Sequence, residues 1–234
     1  MQIAFKTDIG LVRASNQDAL IISKDQRLFG VADGMGGHRG GNIASALAAS
    51  TILSFVEACD PSEVQLQKSI LAANEAIYAR QLTAPELSGM GTTVTVLWDA
   101  GEDMILGHVG DSRAYLFRDG AVQQVSVDHS VVHELMLQGV ITKEEAKTHP
   151  YRHMITRAVG TDPHVEVDLM PIKKQKDDIW LVCSDGLTEY LADDEIREGL
   201  LRGSLESAVD WMVKEALERG GKDNISVVAA RMAV

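Results

Sequence analysis

Between residues 93 and 125 the chain doubles back twice. Thr93-Val94-Thr95-Val96-Leu97-Trp98 is followed by Asp99-Ala100-Gly101-Glu102 and then Met104-Ile105-Leu106. Ala114-Tyr115-Leu116-Phe117 is followed by Asp119-Gly120 and then the apolar alternation of 122–125. Apolar runs joined by a short acidic and glycine turn predict β-hairpins, and Asp-Gly is a strong two-residue hairpin turn. Hairpins commit a chain to antiparallel sheet. Three further short apolar runs, at 28–32, 179–182 and 225–229, read as buried strands.

Helical patterns separate these groups. Asp60-Pro61-Ser62-Glu63 predicts a start at Asp60, with a cap, Pro at the first helical position and Glu three residues after the cap. Leu66, Ile70, Ala73 and Ile77 then fall on one helical face. Residues 43–56 are rich in small side chains, with Leu47, Ala48, Ile52 and Phe55 on one side, which suits close packing on a sheet. Thr142-Lys143-Glu144-Glu145 is a capping box. Ser204 can cap a last helix, with Leu205, Val209, Met212 and Ala216 inward and Gly220 as its stop. The order is not a strict β-α-β alternation, so the class is α+β, antiparallel sheets with helices packed outside. No linker or repeat divides the chain, and 1–234 reads as one domain. Residues 128–160 are the irregular part. They hold His129, His133, His149 and His153 and read as a flap.

Charge narrows the function. The 234 residues carry 22 Lys+Arg against 34 Asp+Glu, a formal net charge of −12. That excludes a general nucleic-acid binder, because phosphate backbones are held by clustered cations. An anionic substrate would also be repelled unless something positive sits in its site. Cys59 and Cys183 lie far apart in apolar surroundings and read as reduced thiols of a cytoplasmic protein, and no CxxC pair suggests zinc. The start Met1-Gln2-Ile3-Ala4-Phe5 has neither a basic nor an apolar leader region, and no run approaches a membrane span of about 20 residues.

Aspartates recur beside glycine where apolar strands end. Asp33-Gly34 follows 28–32, Gly110-Asp111 follows 104–109, Ser184-Asp185-Gly186 follows 179–183, and Gly220-Gly221-Lys222-Asp223-Asn224 precedes 225–229. Asp8 and Asp18 end the first two strand segments. A single Asp-Gly is a turn, as at Asp119-Gly120. Four at strand ends gather oxygen ligands without His or Cys, a set suited to Mg²⁺ or Mn²⁺. Two such ions would activate a shared water, stabilise an in-line displacement and supply the positive charge an acidic protein lacks.

At this point the chain resembles the metal-dependent serine/threonine protein phosphatases of the PPM, or protein phosphatase 2C, family, in its bacterial branch. The matching stretches are Arg13-Ala14-Ser15-Asn16-Gln17-Asp18, Val31-Ala32-Asp33-Gly34-Met35-Gly36-Gly37-His38, Met90-Gly91-Thr92-Thr93, His108-Val109-Gly110-Asp111-Ser112-Arg113, Asp128-His129-Ser130, Cys183-Ser184-Asp185-Gly186-Leu187-Thr188 and Gly220-Gly221-Lys222-Asp223-Asn224-Ile225. The resemblance implies an α-β-β-α sandwich of two antiparallel sheets flanked by helices. It implies hydrolysis of phosphoserine and phosphothreonine in proteins by direct attack of a water bridging two Mg²⁺ or Mn²⁺ ions, without a phosphoenzyme. The natural partner would be a serine/threonine kinase of the same cell, and the family default is a monomer.

Residue by residue, the resemblance implies that Asp33 bridges the two core metals and that the Gly34 carbonyl joins one of them. Asp185 and Asp223 would complete the second core site, and Asp111 with Asp185 would form a weaker third. Asp18 would hold metal-bound waters, Arg13 would grip the substrate phosphate, and Asn224 would orient the last strand or a metal-bound water. Met35 stands where eukaryotic relatives carry a histidine proposed as general acid. Methionine cannot donate a proton, so the role falls to His38, to metal-bound water, or to no acid at all. His149 and His153 are candidate contacts from the flap, and Met90-Gly91-Thr92-Thr93 would support the site from behind. Lys176-Asp177-Asp178 departs from a common Gly-Asp, which touches turn geometry, and Ser226 stands where threonine is common.

Overall fold

The computed structural model describes residues 1–232, apart from the side chains of 37–39. Two antiparallel sheets lie face to face. The first has the order β1 (Gln2–Asp8), β11 (Ile225–Arg231), β10 (Ile179–Cys183), β7 (Arg113–Arg118), β8 (Ala121–Gln124). The second has the order β2 (Asp18–Ile22), β3 (Leu28–Met35), β5 (Val94–Asp99), β6 (Asp103–Val109), β9 (Asp168–Lys173), with the two-residue β4 (Gly91–Thr92) on β3. Helices α1 (Gly37–Val56) and α2 (Glu63–Thr83) cover the second sheet, and α5 (Asp185–Thr188), α6 (Asp193–Leu200) and α7 (Leu205–Glu218) cover the first. The sandwich expected from the resemblance is the architecture observed.

Period-2 alternation sorts each strand between two cores. In β10, Trp180 and Val182 face the other sheet, while Ile179, Leu181 and Cys183 face the helices. In β3, Phe29 and Val31 enter the core between the sheets, and Leu28 and Ala32 the core under α1 and α2. Both faces being buried, these strands read as continuous apolar runs rather than as an alternation with polar residues. The Asp119-Gly120 turn has both residues at positive φ (51° and 77°), the geometry that matches strand twist in a two-residue hairpin.

Three boundaries differ from those read in the sequence. β3 does not stop before Asp33: Gly34 and Met35 pair with Thr92 and Gly91, so the strand carries its aspartate inside it. The cap of α2 is Ser62, which is extended and accepts from the Gln65 N–H, rather than Asp60. α1 starts six residues earlier than 43, directly after Gly36 at φ 121°. Neither β9 nor α3 (Val131–Leu137) carries a periodic cue, and the foreseen capping box opens α4 (Lys143–Thr148). Both these helices lie in the segment 128–160, tied at its two ends by the Ser130–Ile155 and Thr92–Val159 bridges.

The Lys176-Asp177-Asp178 turn places exposed Asp177 at φ 66°. A side chain there strains the backbone, and glycine does not. Asp177→Gly is expected to raise stability by about 0.5–1 kcal/mol, read as a higher melting temperature; an unchanged or lower value would refute the strain.

Candidate active site

Strand register brings the aspartates to one end of the sandwich. Asp18 pairs directly with Asp33 across β2 and β3. Asp111 follows β6, Asp185 opens α5 immediately after β10, and Asp223 precedes β11. All five are half-buried. Burial, then the charges of Asp18, Asp185, Asp111 and Asp223, hold the Asp33 carboxyl well above the usual carboxylate range. Burial is also the main cause at the two others that shift. Asp18 rises to about 6 despite hydroxyl donors on Ser226 and Ser184. Asp111 rises to about 8, with Asp185 and Asp128 adding to the effect.

Two features fit this set to hard divalent cations. Every donor is an oxygen, and among the described residues Asp18 Oδ1 is buried with no hydrogen-bond partner although Ser184 Oγ donates to its Oδ2 at 2.8 Å. Among the described residues no three carboxylates converge into a ready-made metal cage. Asp223 is already engaged: its Oδ2 accepts from Arg13 at 2.5 Å and its Oδ1 from the Asn224 N–H at 2.8 Å. Arg13 feels Asp223 first, then Asp185 and Asp33, which raises its pKa further and keeps a permanent cation at the carboxylates. Its planar fork suits a phosphoryl group.

The backbone around Asp33 is clamped. Its N–H donates to Thr93 Oγ1 (2.9 Å), and its carbonyl accepts from the Thr93 N–H (2.8 Å) and Thr92 Oγ1 (2.9 Å). A Cβ on Gly34 would meet the Gly41 carbonyl oxygen at 2.1 Å, so α1 approaches this strand as only glycine allows. Asn224 is buried and staples the Arg13 loop. Its Nδ2 donates to the Ile9 (2.9 Å) and Ser15 (3.1 Å) carbonyls, and its Oδ1 accepts from the Gln17 N–H (2.8 Å). His153 Nδ1 lies 3.8 Å from Asp185 Oδ2, beyond hydrogen-bond distance, and the nearby carboxylate raises the imidazole pKa. His149 faces Tyr151 instead. His38 lies outside the described side chains.

Sequence reasoning passed over the support behind Asp111. His129 Nδ1 accepts from the Gly110 N–H at 3.0 Å, which leaves Nε2 to donate to Asp168 Oδ2 at 3.1 Å. The His129 N–H in turn donates to the Gly110 carbonyl at 2.8 Å. Arg157 Nη1 donates to Asp168 Oδ1 at 2.8 Å. The Asp128-His129-Ser130 stretch was the visible signal; Asp168 and Arg157 carried none. His108, fully buried at 4.8 Å from His129, drops to about 4 through burial and so stays neutral.

The four-layer sandwich that carries this carboxylate cluster recurs among solved phosphatases. The chain aligns with a Mycobacterium tuberculosis serine/threonine phosphatase, PstP/Ppp, at TM-score 0.94 and 38% identity over 100% of this chain and 99% of that one. A structure of the PstP catalytic domain in complex with two manganese ions matches at TM-score 0.91 and 37% identity, covering 100% and 98%. The family model for protein phosphatase 2C matches residues 12–225, and the chain belongs to that family. Among curated relatives, PstP of M. tuberculosis is 39% identical over 98% of this chain, which spans 45% of that relative's length. A Listeria monocytogenes serine/threonine phosphatase, stp, is 37% identical over 97% of this chain and 94% of its own. Among the described residues no helix is long and apolar enough to cross a membrane.

Proposed function

We propose that this chain is a metal-dependent phosphoprotein phosphatase that hydrolyses phosphoserine and phosphothreonine. One observation carries the proposal: five half-buried carboxylates gather around a single arginine, and burial together with the neighbouring charges pushes Asp33, Asp18 and Asp111 above their ordinary range. That much negative charge is stable near neutral pH only with protons or cations among it. Manganese in the PstP structure supports a cation. Asp33, the Gly34 carbonyl, Asp185 and Asp223 would hold the two core Mg²⁺ or Mn²⁺ ions, and Asp111 with Asp185 a third. Bound there, the ions would supply positive charge and bring the water they share toward ionisation near neutral pH, giving the nucleophile.

The chain's own groups do the rest. Arg13 holds phosphoryl oxygens by bidentate donation, Asp18 accepts from waters at the cluster, and Asn224 fixes the loop that carries Arg13. Either His38 or a water protonates the departing serine or threonine oxygen. The same reading takes 1–234 as one domain with 128–160 as its flap, acting as a cytoplasmic monomer opposite a bacterial serine/threonine kinase.

The test is phosphate release from a phosphothreonine peptide with Mn²⁺, with excess EDTA, and after readdition of Mn²⁺. Release is expected only with metal. Mn²⁺ at 100 times its Kd is expected to stabilise the fold by about 2.7 kcal/mol, seen as a higher melting temperature. No release with Mn²⁺ would sink the proposal.

A further inference from the structure

The loop that delivers Arg13 is tied down by hydrogen bonds, yet it turns large apolar side chains to solvent. The Gly10 N–H donates to Asp8 Oδ1 at 2.8 Å and the Leu11 N–H to the Gly221 carbonyl at 2.7 Å. Gly10 sits at φ 77°, so close to β11's approach that a Cβ would meet the Asp223 carbonyl oxygen at 2.2 Å. Asn224 holds the loop from both sides, at Ile9 and Ser15. Despite this fixing, Leu11 and Val12 are 68% and 69% exposed. The stretch whose His153 approaches Asp185 also exposes Tyr151 and Met154, at 53% and 51%.

Resting on the phosphatase reading, we propose that Leu11 and Val12, with Tyr151 and Met154 on the stretch beside Asp185, form an apolar rim that reads the residues flanking the phosphorylated serine or threonine, and that the preferred substrate segment carries apolar rather than acidic flanks. The occupant follows from position. Leu11 and Val12 are within two residues of the arginine beside Asp223, Asp185 and Asp33. An extended peptide advances about 3.3 Å per residue, so the neighbours of a residue whose phosphate reaches Arg13 come within reach of Leu11 and Val12. A prefixed loop binds without an ordering cost of its own. Clustered exposed apolar side chains on a monomer's surface mark a contact site. Charge sets the second half of the preference: a chain of net charge −12 disfavours acidic flanks.

The experiment compares two phosphothreonine peptides of equal length, one with Leu and Val flanks and one with Asp and Glu flanks. p-Nitrophenyl phosphate, which has no flanks, is the reference, and Mn²⁺ is present throughout. In the wild type, kcat/KM for the apolar peptide is expected to exceed that for the acidic peptide about tenfold or more. In Leu11→Ser/Val12→Ser the ratio of kcat/KM on the apolar peptide to that on p-nitrophenyl phosphate should fall about tenfold, mainly through KM, the size expected for losing apolar pocket contacts. Leu11→Ile/Val12→Ile should restore the ratio. A wild type without flank preference, or a serine double variant whose ratio does not move, overturns the rim. A wild type that hydrolyses neither peptide nor p-nitrophenyl phosphate overturns the phosphatase reading and the rim with it, and is seen before any variant is made.

Discussion

Asp33→Asn is expected to lower kcat/KM on a phosphothreonine peptide by on the order of a thousandfold or more, and at the same time to raise the melting temperature of the metal-free protein. The two effects share one cause. Asp33 lies among Asp18, Asp185, Asp111 and Asp223, and its carboxyl is held far above its ordinary range by burial and by those four charges. An amide of the same shape removes a charge that the cluster repels, so the metal-free fold gains. It also removes the ligand through which two ions would be held together, so the Mn²⁺-induced rise in melting temperature should shrink. The fold survives because Asp33 is fixed by its backbone, which bonds Thr92 and Thr93, not by its side chain. Phosphate release and melting curves with Mn²⁺ or EDTA read both effects. Near-full activity would show that Asp33 bridges nothing. A lower melting point without metal would show that the carboxylates do not strain the fold.

The candidate site was legible because its chemistry is local in sequence. Asp33, Asp111 and Asp185 sit beside glycine at or near the ends of apolar runs, Asp18 and Asp223 just before others, and sheet pairing carries those ends together, as the Asp18–Asp33 register does. The strands were legible for the same reason, their two-sided burial leaving unbroken apolar runs. Support that depends on distant residues was not. Asp168 gives no cue until β9 pairs with β6 and sets it opposite His108, next to His129. β9 itself, Asp168-Leu169-Met170-Pro171-Ile172-Lys173, holds a proline that an edge strand tolerates and that hides the strand from pattern reading. The start of α1 at Gly37 was hidden too. A helix beginning in glycines has no propensity signal, and what requires them is the close approach of Gly41 to Gly34.

The largest loss of stability is expected at Asp178, which closes the Lys176-Asp177-Asp178 turn. Asp178 is 1% exposed. Arg118 holds it with two bonds, Nε to Oδ1 at 2.8 Å and Nη2 to Oδ2 at 2.7 Å, and also donates to the Lys173 carbonyl at 2.8 Å. The pair thus joins the end of β7, the end of β9 and the start of β10, while the Met232 N–H closes on the Asp178 carbonyl at 3.0 Å. Arg118→Ala leaves a buried carboxylate without its counter-charge, which costs about 3–5 kcal/mol. In a domain of this size that corresponds to a melting temperature lower by roughly 6–20 °C. Arg118→Met with Asp178→Asn removes both charges yet keeps an oxygen for the Gln175 N–H, now 2.7 Å from Asp178 Oδ2, and should recover most of the loss. Asp178 and Asp185 flank opposite ends of β10, about 20 Å apart at 3.3 Å per residue, so turnover of folded Arg118→Ala at low temperature should stay near wild type. A single variant within about 1 kcal/mol of wild type would mean that water screens the pair as it does a surface bridge. A double variant as unstable as the single would put the loss in packing rather than in the stranded charge.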